Sequence, residues 1–199
     1  MGKDFLEEIR RYNVRKAKPC KESLALLVID MQEFFRPIAA PVLENVNALI
    51  GACRRASVPV IFTRHGHRDL SRDGGILAEW WGTLAMVGTP EWELLRELTV
   101  AEDEKIIDKM RYSAFHGTDL HQHLTSLTRD QLIITGVMTN CCCETTAREA
   151  FMNDYRVFFV SDATATADEE LHLSSLRNLA YAFAHVESTK GLLEALYQD

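Results

Sequence analysis

The sequence predicts a three-layer α/β/α fold with an open, six-stranded, mainly parallel sheet. Short apolar runs rich in β-branched residues recur along the chain, and a helix-like stretch separates each run from the next. A chain of 199 residues with 47% hydrophobic content can also bury one substantial core. Strands that alternate with helices pair in parallel, through right-handed crossovers that place helices on both faces of the sheet. We therefore expect residues 1–199 to form a single domain.

The strands are predicted from unbroken apolar runs, which are typical of parallel strands buried on both faces. LALLVI and VPVIFT are the clearest of these runs. The six predicted strands span residues 24–29, 58–63, 105–108, 131–135, 157–160 and 185–188.

Helical patterns fill most of the connections between the strands. The predicted helices span residues 42–56, 90–98, 118–126, 141–153, 169–183 and 189–197. Residues 1–20 are expected to form a helical N-terminal extension. Within it, residues 4–15 have the pattern of an amphipathic helix that covers the sheet or a neighbouring subunit. The stretch 65–88 breaks the alternation with five glycines and a Trp-Trp pair. A connection of that length is more often a lid or a binding loop than a spacer.

Composition limits the classes of molecule that the protein is expected to bind and the cellular compartment in which it is expected to occur. A net charge of -7 provides no basic field for nucleic acid or an anionic membrane, so we expect a small-molecule ligand instead. No apolar run is long enough to span a bilayer, and the N-terminus lacks the apolar region of a secretory signal, which predicts a cytoplasmic protein. The chain has five cysteines, of which three are consecutive and none are in CxxC spacing. This pattern argues against disulfide bonds and against a structural zinc site.

Three reactive positions follow predicted strands. Asp30 ends the first strand region, Lys109 ends the third, and the triplet Cys141–Cys143 follows the fourth after a short connection. Ligands of open parallel sheets bind beyond the carboxyl ends of the strands, so these side chains are expected to converge. Asp162, after VFFVS, is an equal rival to Asp30 on this pattern.

The chemistry of such a set suits acyl transfer. A cysteine at a helix N-terminus, with Thr139 or Asn140 as the cap, is favoured as the thiolate by the helix dipole and unpaired N–H groups. A carboxylate can accept the thiol proton and return it to a leaving amine, while an ammonium stabilises negative charge. Helix position alone does not choose among the three cysteines.

Three segments resemble one known superfamily. VIDMQEFF around Asp30, KMRYSAFHGTDL around Lys109 and TGVMTNCCCETTAREAF around Cys142 are similar to the isochorismatase-like cysteine hydrolases, which include nicotinamidases, other small-molecule amidases and true isochorismatases. The resemblance implies a Rossmann-like fold, dimers or tetramers, and a catalytic triad of Asp30, Lys109 and Cys142. It also implies a cis peptide bond before Met138, with the amides of Met138 and Cys142 forming the oxyanion hole.

Details of the resemblance favour amide hydrolysis. True isochorismatases have glycine at the position of Cys142 and an arginine in a loop where this chain has Gly74. The Asp-x-His metal motif of microbial nicotinamidases is also missing, since residues 36–39 read RPIA. The chain looks most like the metal-independent, plant-type nicotinamidases, which implies an amidohydrolase of non-peptide C–N bonds that needs no cofactor or metal. A vinyl-ether hydrolase and a non-catalytic ligand-binding protein are the alternatives.

Five residues are expected to contact the substrate. Aromatic side chains near the nucleophile could enclose a flat ring, and polar ones could orient it. The five are Gln32, Phe35, His65, Trp81 and Phe115.

Overall fold

A six-stranded sheet, parallel throughout, forms the centre of the computed structural model, which describes residues 4–197. The strands are β1 Leu24–Ile29, β2 Val60–His65, β3 Lys105–Lys109, β4 Gln131–Val137, β5 Arg156–Ala165 and β6 His185–Glu187. Their order across the sheet is β3-β2-β1-β4-β5-β6. The chain therefore winds outward from β1 in one direction and then in the other.

Helices cover both faces of this sheet. They are α1 Phe5–Ile9, α2 Arg36–Ala39, α3 Leu43–Arg55, α4 Gly75–Trp81, α5 Leu120–Ser126, α6 Glu144–Met152, α7 Glu169–Ala182 and α8 Thr189–Tyr197. One apolar core joins α5, α6 and α7 to one face, and a second joins α3 and α8 to the other. No helix within residues 4–197 is long and apolar enough to cross a membrane.

The strand order creates a crevice beside β1. Every residue of β1 is fully buried, and its neighbours are β2 on one side and β4 on the other. Because the connections from β1 and β4 leave in opposite directions, the carboxyl ends of these strands border a gap where ligands bind in open α/β sheets. The fold thus places whatever follows β1, β3 and β4 at one edge.

The predicted sheet is confirmed, with every strand pair parallel rather than most of them. The helix predicted at 90–98 is wrong: only the single 3-10 turn Pro90–Trp92 forms there. Backbone groups of that segment bond to the chain that follows β1, with Glu33 N–H donating to Glu93 O at 2.9 Å and Leu95 N–H donating to Met31 O at 2.9 Å. These tertiary bonds replace those of a continuous helix.

The stretch 65–88 is more ordered than its glycines suggest, since it contains α4 after a π-helical turn at Leu70–Gly74. The predicted N-terminal helix is shorter than residues 4–15 and ends at Ile9, which is fully buried. Beyond it, Asn13 donates from Nδ2 to Val186 O at 2.7 Å, which ties the extended segment to β6. The first three residues of the predicted extension lie outside the described part of the chain.

Candidate active site

Asp30 and Lys109 form an ion pair at the carboxyl edge of the sheet. Lys109 Nζ lies 2.7 Å from Asp30 Oδ2, and both side chains are fully buried. β2 lies between the strands that carry them, and Thr63 of β2 holds the carboxylate by donating from Oγ1 to Asp30 Oδ1 at 2.6 Å. The same Thr63 Oγ1 accepts the Asp30 backbone N–H at 3.1 Å. The carboxylate is therefore fixed from two sides.

The charge of Lys109 is held by its surroundings. Burial alone would lower the pKa of Lys109, but Asp30 and Cys142 beside it offset that effect, so its pKa lies above the ordinary value. Its Nζ also donates to Arg111 O at 3.0 Å. The ammonium is thus a fixed positive charge in a dry environment, where its field acts strongly on its neighbours.

Cys142 lies in a π-helical turn, Thr139–Cys143, that connects β4 to α6. Its thiol lies close enough to the Asp30 carboxylate and the Lys109 ammonium for both charges to act on it. Burial raises the pKa of Cys142, the Lys109 charge lowers it, and the Asp30 charge raises it again, with a net increase. The resting group is therefore a neutral thiol beside a carboxylate.

The predicted helix cap is wrong. Thr139 Oγ1 bonds instead to His172 Nδ1 at 2.9 Å, and Asn140 Oδ1 accepts from Thr166 Oγ1 at 2.7 Å. Neither side chain makes the capping bond. The peptide bond between Val137 and Met138 is cis, as the resemblance implied.

The neighbours of Cys142 differ from it in their surroundings. Cys141 borders the same cavity beside Tyr112, whereas Cys143 is fully buried in the apolar core. The rival carboxylate, Asp162, accepts from both the N–H and the hydroxyl of Thr189 at the start of α8. Its position is thus explained by the structure of that helix, away from the three converging groups.

A cavity of about 300 Å³ opens above Cys142. Its wall is mostly apolar and includes Phe34, Phe35, Pro37, Ile38, His65, Trp81, Thr83, Leu84, Tyr112, Met138, Cys141 and Cys142. Four of these, His65, Trp81, Thr83 and Leu84, come from the stretch 65–88, which agrees with its expected role as a binding segment. The indole of Trp81 donates to the Tyr112 hydroxyl at 2.7 Å, so two aromatic walls are joined.

Two of the five expected substrate contacts do not reach this cavity. Gln32 is fully buried, with its amide donating to His65 O at 2.9 Å and to Trp92 O at 2.7 Å while its carbonyl accepts the His65 N–H at 2.7 Å. Phe115 packs in the core against Tyr155. Gln32 therefore organises the backbone of the wall, and Phe115 stabilises the fold behind it.

Sequence patterns missed several residues of the site, among them Thr63, Phe34 and Tyr112. Thr63 gives a weak signal, as a polar residue near the end of an apolar strand, but Phe34 and Tyr112 give none because aromatic residues are common in cores as well as in pockets. The described residues contain no group of three or more His, Cys, Asp or Glu arranged to hold a metal ion.

His65 is expected to make the stability of the fold sensitive to acid. Burial, followed by the Lys109 charge, lowers the pKa of His65 to about 4, with smaller effects from Asp30, His67 and Arg111. The unfolded chain, with an ordinary histidine pKa near 6.5, binds a proton first as the pH falls. The neutral, buried His65 thus contributes to the free energy of unfolding in full above about pH 6.5. The contribution, about 3 kcal/mol in total, is lost as the pH falls through about 4.

Urea unfolding at pH 7 and pH 4.5 tests this expectation. A His65→Gln variant should lose about 2 to 3 kcal/mol less stability between the two pH values than the wild type. His172, whose pKa burial also lowers, affects both proteins equally. Equal losses in both proteins would contradict a neutral, desolvated His65.

Comparison with known proteins gives consistent matches. The family model described as "Isochorismatase domain" matches residues 24–191. "Nicotinamidase 3" of Arabidopsis thaliana is 47% identical, over 94% of this chain and 96% of that protein. "Enterobactin synthase component B" of Escherichia coli (strain K12) is 36% identical over 86% of this chain, which spans 62% of that longer protein. The crystal structure of a cysteine hydrolase from Pseudomonas syringae pv. phaseolicola 1448A superposes with a TM-score of 0.86 at 29% identity, covering 91% of this chain and 95% of that one.

Proposed function

The chain belongs to the isochorismatase family, and on that premise we propose that Asp30, Lys109 and Cys142 hydrolyse a small aromatic carboxamide to its acid and ammonia. The observation that carries this conclusion is the buried Asp30–Lys109 pair, which meets a buried thiol at the floor of an apolar cavity. Buried charges are costly unless paired, and such arrangements concentrate at functional sites. The chain is similar to a nicotinamidase over nearly the full length of both proteins, which supports its assignment as a hydrolase of non-peptide C–N bonds.

The first step is activation of the thiol. Asp30 accepts the Cys142 proton, and the thiolate that forms is stabilised by the Lys109 ammonium. Because burial raises the pKa of Cys142, the thiol needs Asp30 as its proton acceptor. Thr63 keeps the carboxylate oriented throughout, since its bonds to Asp30 do not involve the proton in transit.

Acylation then breaks the amide bond. The Cys142 sulfur bonds to the carbonyl carbon, and the oxygen becomes an oxyanion that the backbone N–H groups of Met138 and Cys142 stabilise. When the tetrahedral intermediate collapses, the C–N bond breaks and Asp30 returns its proton to the nitrogen, which leaves as ammonia. The product of this step is a thioester on Cys142.

Deacylation repeats the sequence with water. Asp30 removes a proton from a water molecule, whose oxygen attacks the thioester carbonyl. Collapse of the second tetrahedral intermediate breaks the C–S bond, and the proton held by Asp30 returns to the Cys142 sulfur. The carboxylic acid leaves, and the starting protonation state is restored without a cofactor.

The cavity supports a flat, uncharged substrate. Phe34, Phe35, Trp81 and Tyr112 supply aromatic surface that can enclose a single ring, and the wall has no arginine to pair with a carboxylate. This lining favours nicotinamide and its close analogues over a dicarboxylate such as isochorismate. The 36% identity with enterobactin synthase component B is the observation that keeps vinyl-ether hydrolysis as the second candidate.

Ammonia release and mass spectrometry of the quenched enzyme test the assignment together. We expect nicotinamide and pyrazinamide to release ammonia and to leave an acyl mass on the peptide containing Cys142, whereas ureidoacrylate, biuret and carbamoyl amino acids react slowly. Turnover of isochorismate by enzyme fully alkylated at Cys142 would favour the vinyl-ether alternative. Binding of the amides without any turnover would instead favour a non-catalytic ligand-binding protein.

We also propose that the protein is a homo-oligomer, a dimer or a tetramer. Phe151, Met152 and Tyr181 are large apolar side chains that are 46%, 75% and 64% exposed on the described surface, which supports an interface. The single domain and the cytoplasmic location stay predictions.

A further inference from the structure

His65 is a buried polar side chain in the cavity wall that lacks a hydrogen-bond partner. The residue is 4% exposed, and no described residue bonds to either ring nitrogen. Buried polar groups in folded proteins are almost always hydrogen-bonded, so each exception calls for an explanation. The Tyr112 hydroxyl in the same wall differs, because it accepts a hydrogen bond from Trp81 Nε1 at 2.7 Å.

The position of His65 is held firmly. Gln32 bonds to both its backbone N–H, at 2.7 Å, and its backbone oxygen, at 2.9 Å. In the parallel pair of β2 and β3, His65 is the register partner of Lys109. The backbone that carries the imidazole is therefore held in place beside Lys109 before any ligand binds. Such preorganisation lowers the entropy cost of forming a bond to a ligand.

The proton arrangement on the ring follows from its neighbours. A neutral imidazole has one N–H donor and one lone pair. Nδ1 is enclosed without a partner, and the cations Lys109 and Arg111 act on the ring. A lone pair at Nδ1 is the favourable arrangement, because nearby cations favour a lone pair over an N–H donor on an enclosed nitrogen without a partner. Nε2 then carries the proton and is the donor available to a molecule in the cavity.

We propose that His65 donates a hydrogen bond to an acceptor atom in the aromatic ring of the substrate and so selects heteroaromatic carboxamides over benzene carboxamides. This inference rests on the proposed function, since the carboxamide must lie at Cys142 for the ring to reach His65. A ring nitrogen such as that of pyridine is a neutral acceptor that completes the bonding of the imidazole. A benzene ring in the same place leaves the buried donor unpaired.

The test compares kcat/KM for nicotinamide and benzamide, which differ in one ring atom. We expect the wild type to prefer nicotinamide by about tenfold or more. His65→Phe should reduce that preference to about threefold or less, mainly by slowing nicotinamide. His65→Gln, which keeps an N–H donor, should retain most of the preference. A purely structural role for His65 would change both substrates alike and leave the ratio unaltered.

His67→Gln is the matched control. His67 is also fully buried with a partnerless Nε2, its ring centroid lies 5.1 Å from that of His65, and it is absent from the cavity wall. The control should keep the wild-type ratio. A His65→Phe variant with an undiminished preference, or a wild type with no preference, would overturn the inference.

Calorimetric binding to Cys142→Ala separates this inference from the proposed function. If the wild type hydrolyses neither amide, the proposed function fails. Tighter binding of nicotinamide than of benzamide, lost when His65→Phe is added, would still support recognition by His65. Equal binding of the two amides, or no binding of either, would overturn it.

Discussion

Replacing Cys142 with alanine is expected to lower kcat/KM for ammonia release by about 10⁴-fold or more, with little change in the fold. The substitution removes the only atom that bonds to the substrate carbon, and neither neighbour can replace it. Cys143 is fully buried in the core, and Cys141 lies beside Tyr112 on the cavity wall. Initial rates with nicotinamide, together with the thermal transition of each protein, measure the effect.

Cys141→Ala and Cys143→Ala are the controls for that result. Cys141→Ala should keep thioester formation and lose about tenfold at most, because the residue shapes the wall without bonding to the carbonyl carbon. Cys143→Ala should mainly reduce stability, by about 1 kcal/mol, since it removes a small buried side chain. Near-normal activity in Cys142→Ala, with loss in either neighbour, would place the nucleophile elsewhere in the triplet.

The positions of Asp30, Lys109 and the cysteine triplet were predictable because they follow strands of a parallel sheet. Their sequence separation is large, but the carboxyl ends of β1, β3 and β4 meet at one edge whatever the intervening chain does. The choice between Asp30 and Asp162 was not predictable from that pattern. Both lie just beyond predicted strands, and only the three-dimensional partners show that Asp162 bonds to Thr189 at the start of α8.

The cavity wall was less predictable because loops distant in sequence build it. Gln32 was expected to contact substrate, yet backbone groups across the crevice use both of its N–H donors and its carbonyl oxygen. Residues 90–98 have a helical pattern, but bonding to residues 31–33 determines their actual course. In both cases a local preference yields to hydrogen bonds formed in the tertiary structure, which no local pattern contains.

The glycine of the TGVMTNCCC segment, Gly136, has a physical explanation. It is the register partner of Ile29 in the pair of β1 and β4, and its φ of +108° lies in the region that favours glycine. A Cβ at this position would lie 2.0 Å from Ile29 O and 2.7 Å from Ile29 N. The strands can approach this closely only without a side chain here. Since Asp30 follows Ile29 directly, the approach also determines where the carboxylate lies relative to Cys142.

Gly136→Ala is therefore expected to reduce both stability and activity severely. The new methyl group meets backbone atoms that cannot rotate away, so β1 must shift, and a loss of about 3 kcal/mol or more in unfolding free energy should follow.

Gly117→Ala is the matched control, since Gly117 has a φ of +68° but no atom within 4 Å of an added Cβ. It should cost only about 1 to 2 kcal/mol, for the backbone conformation alone, and keep normal turnover. Urea unfolding and kcat/KM, measured under conditions where each variant remains folded, separate the two effects. If the variants lose equal stability and Gly136→Ala retains full activity, close contact between β1 and β4 does not position Asp30.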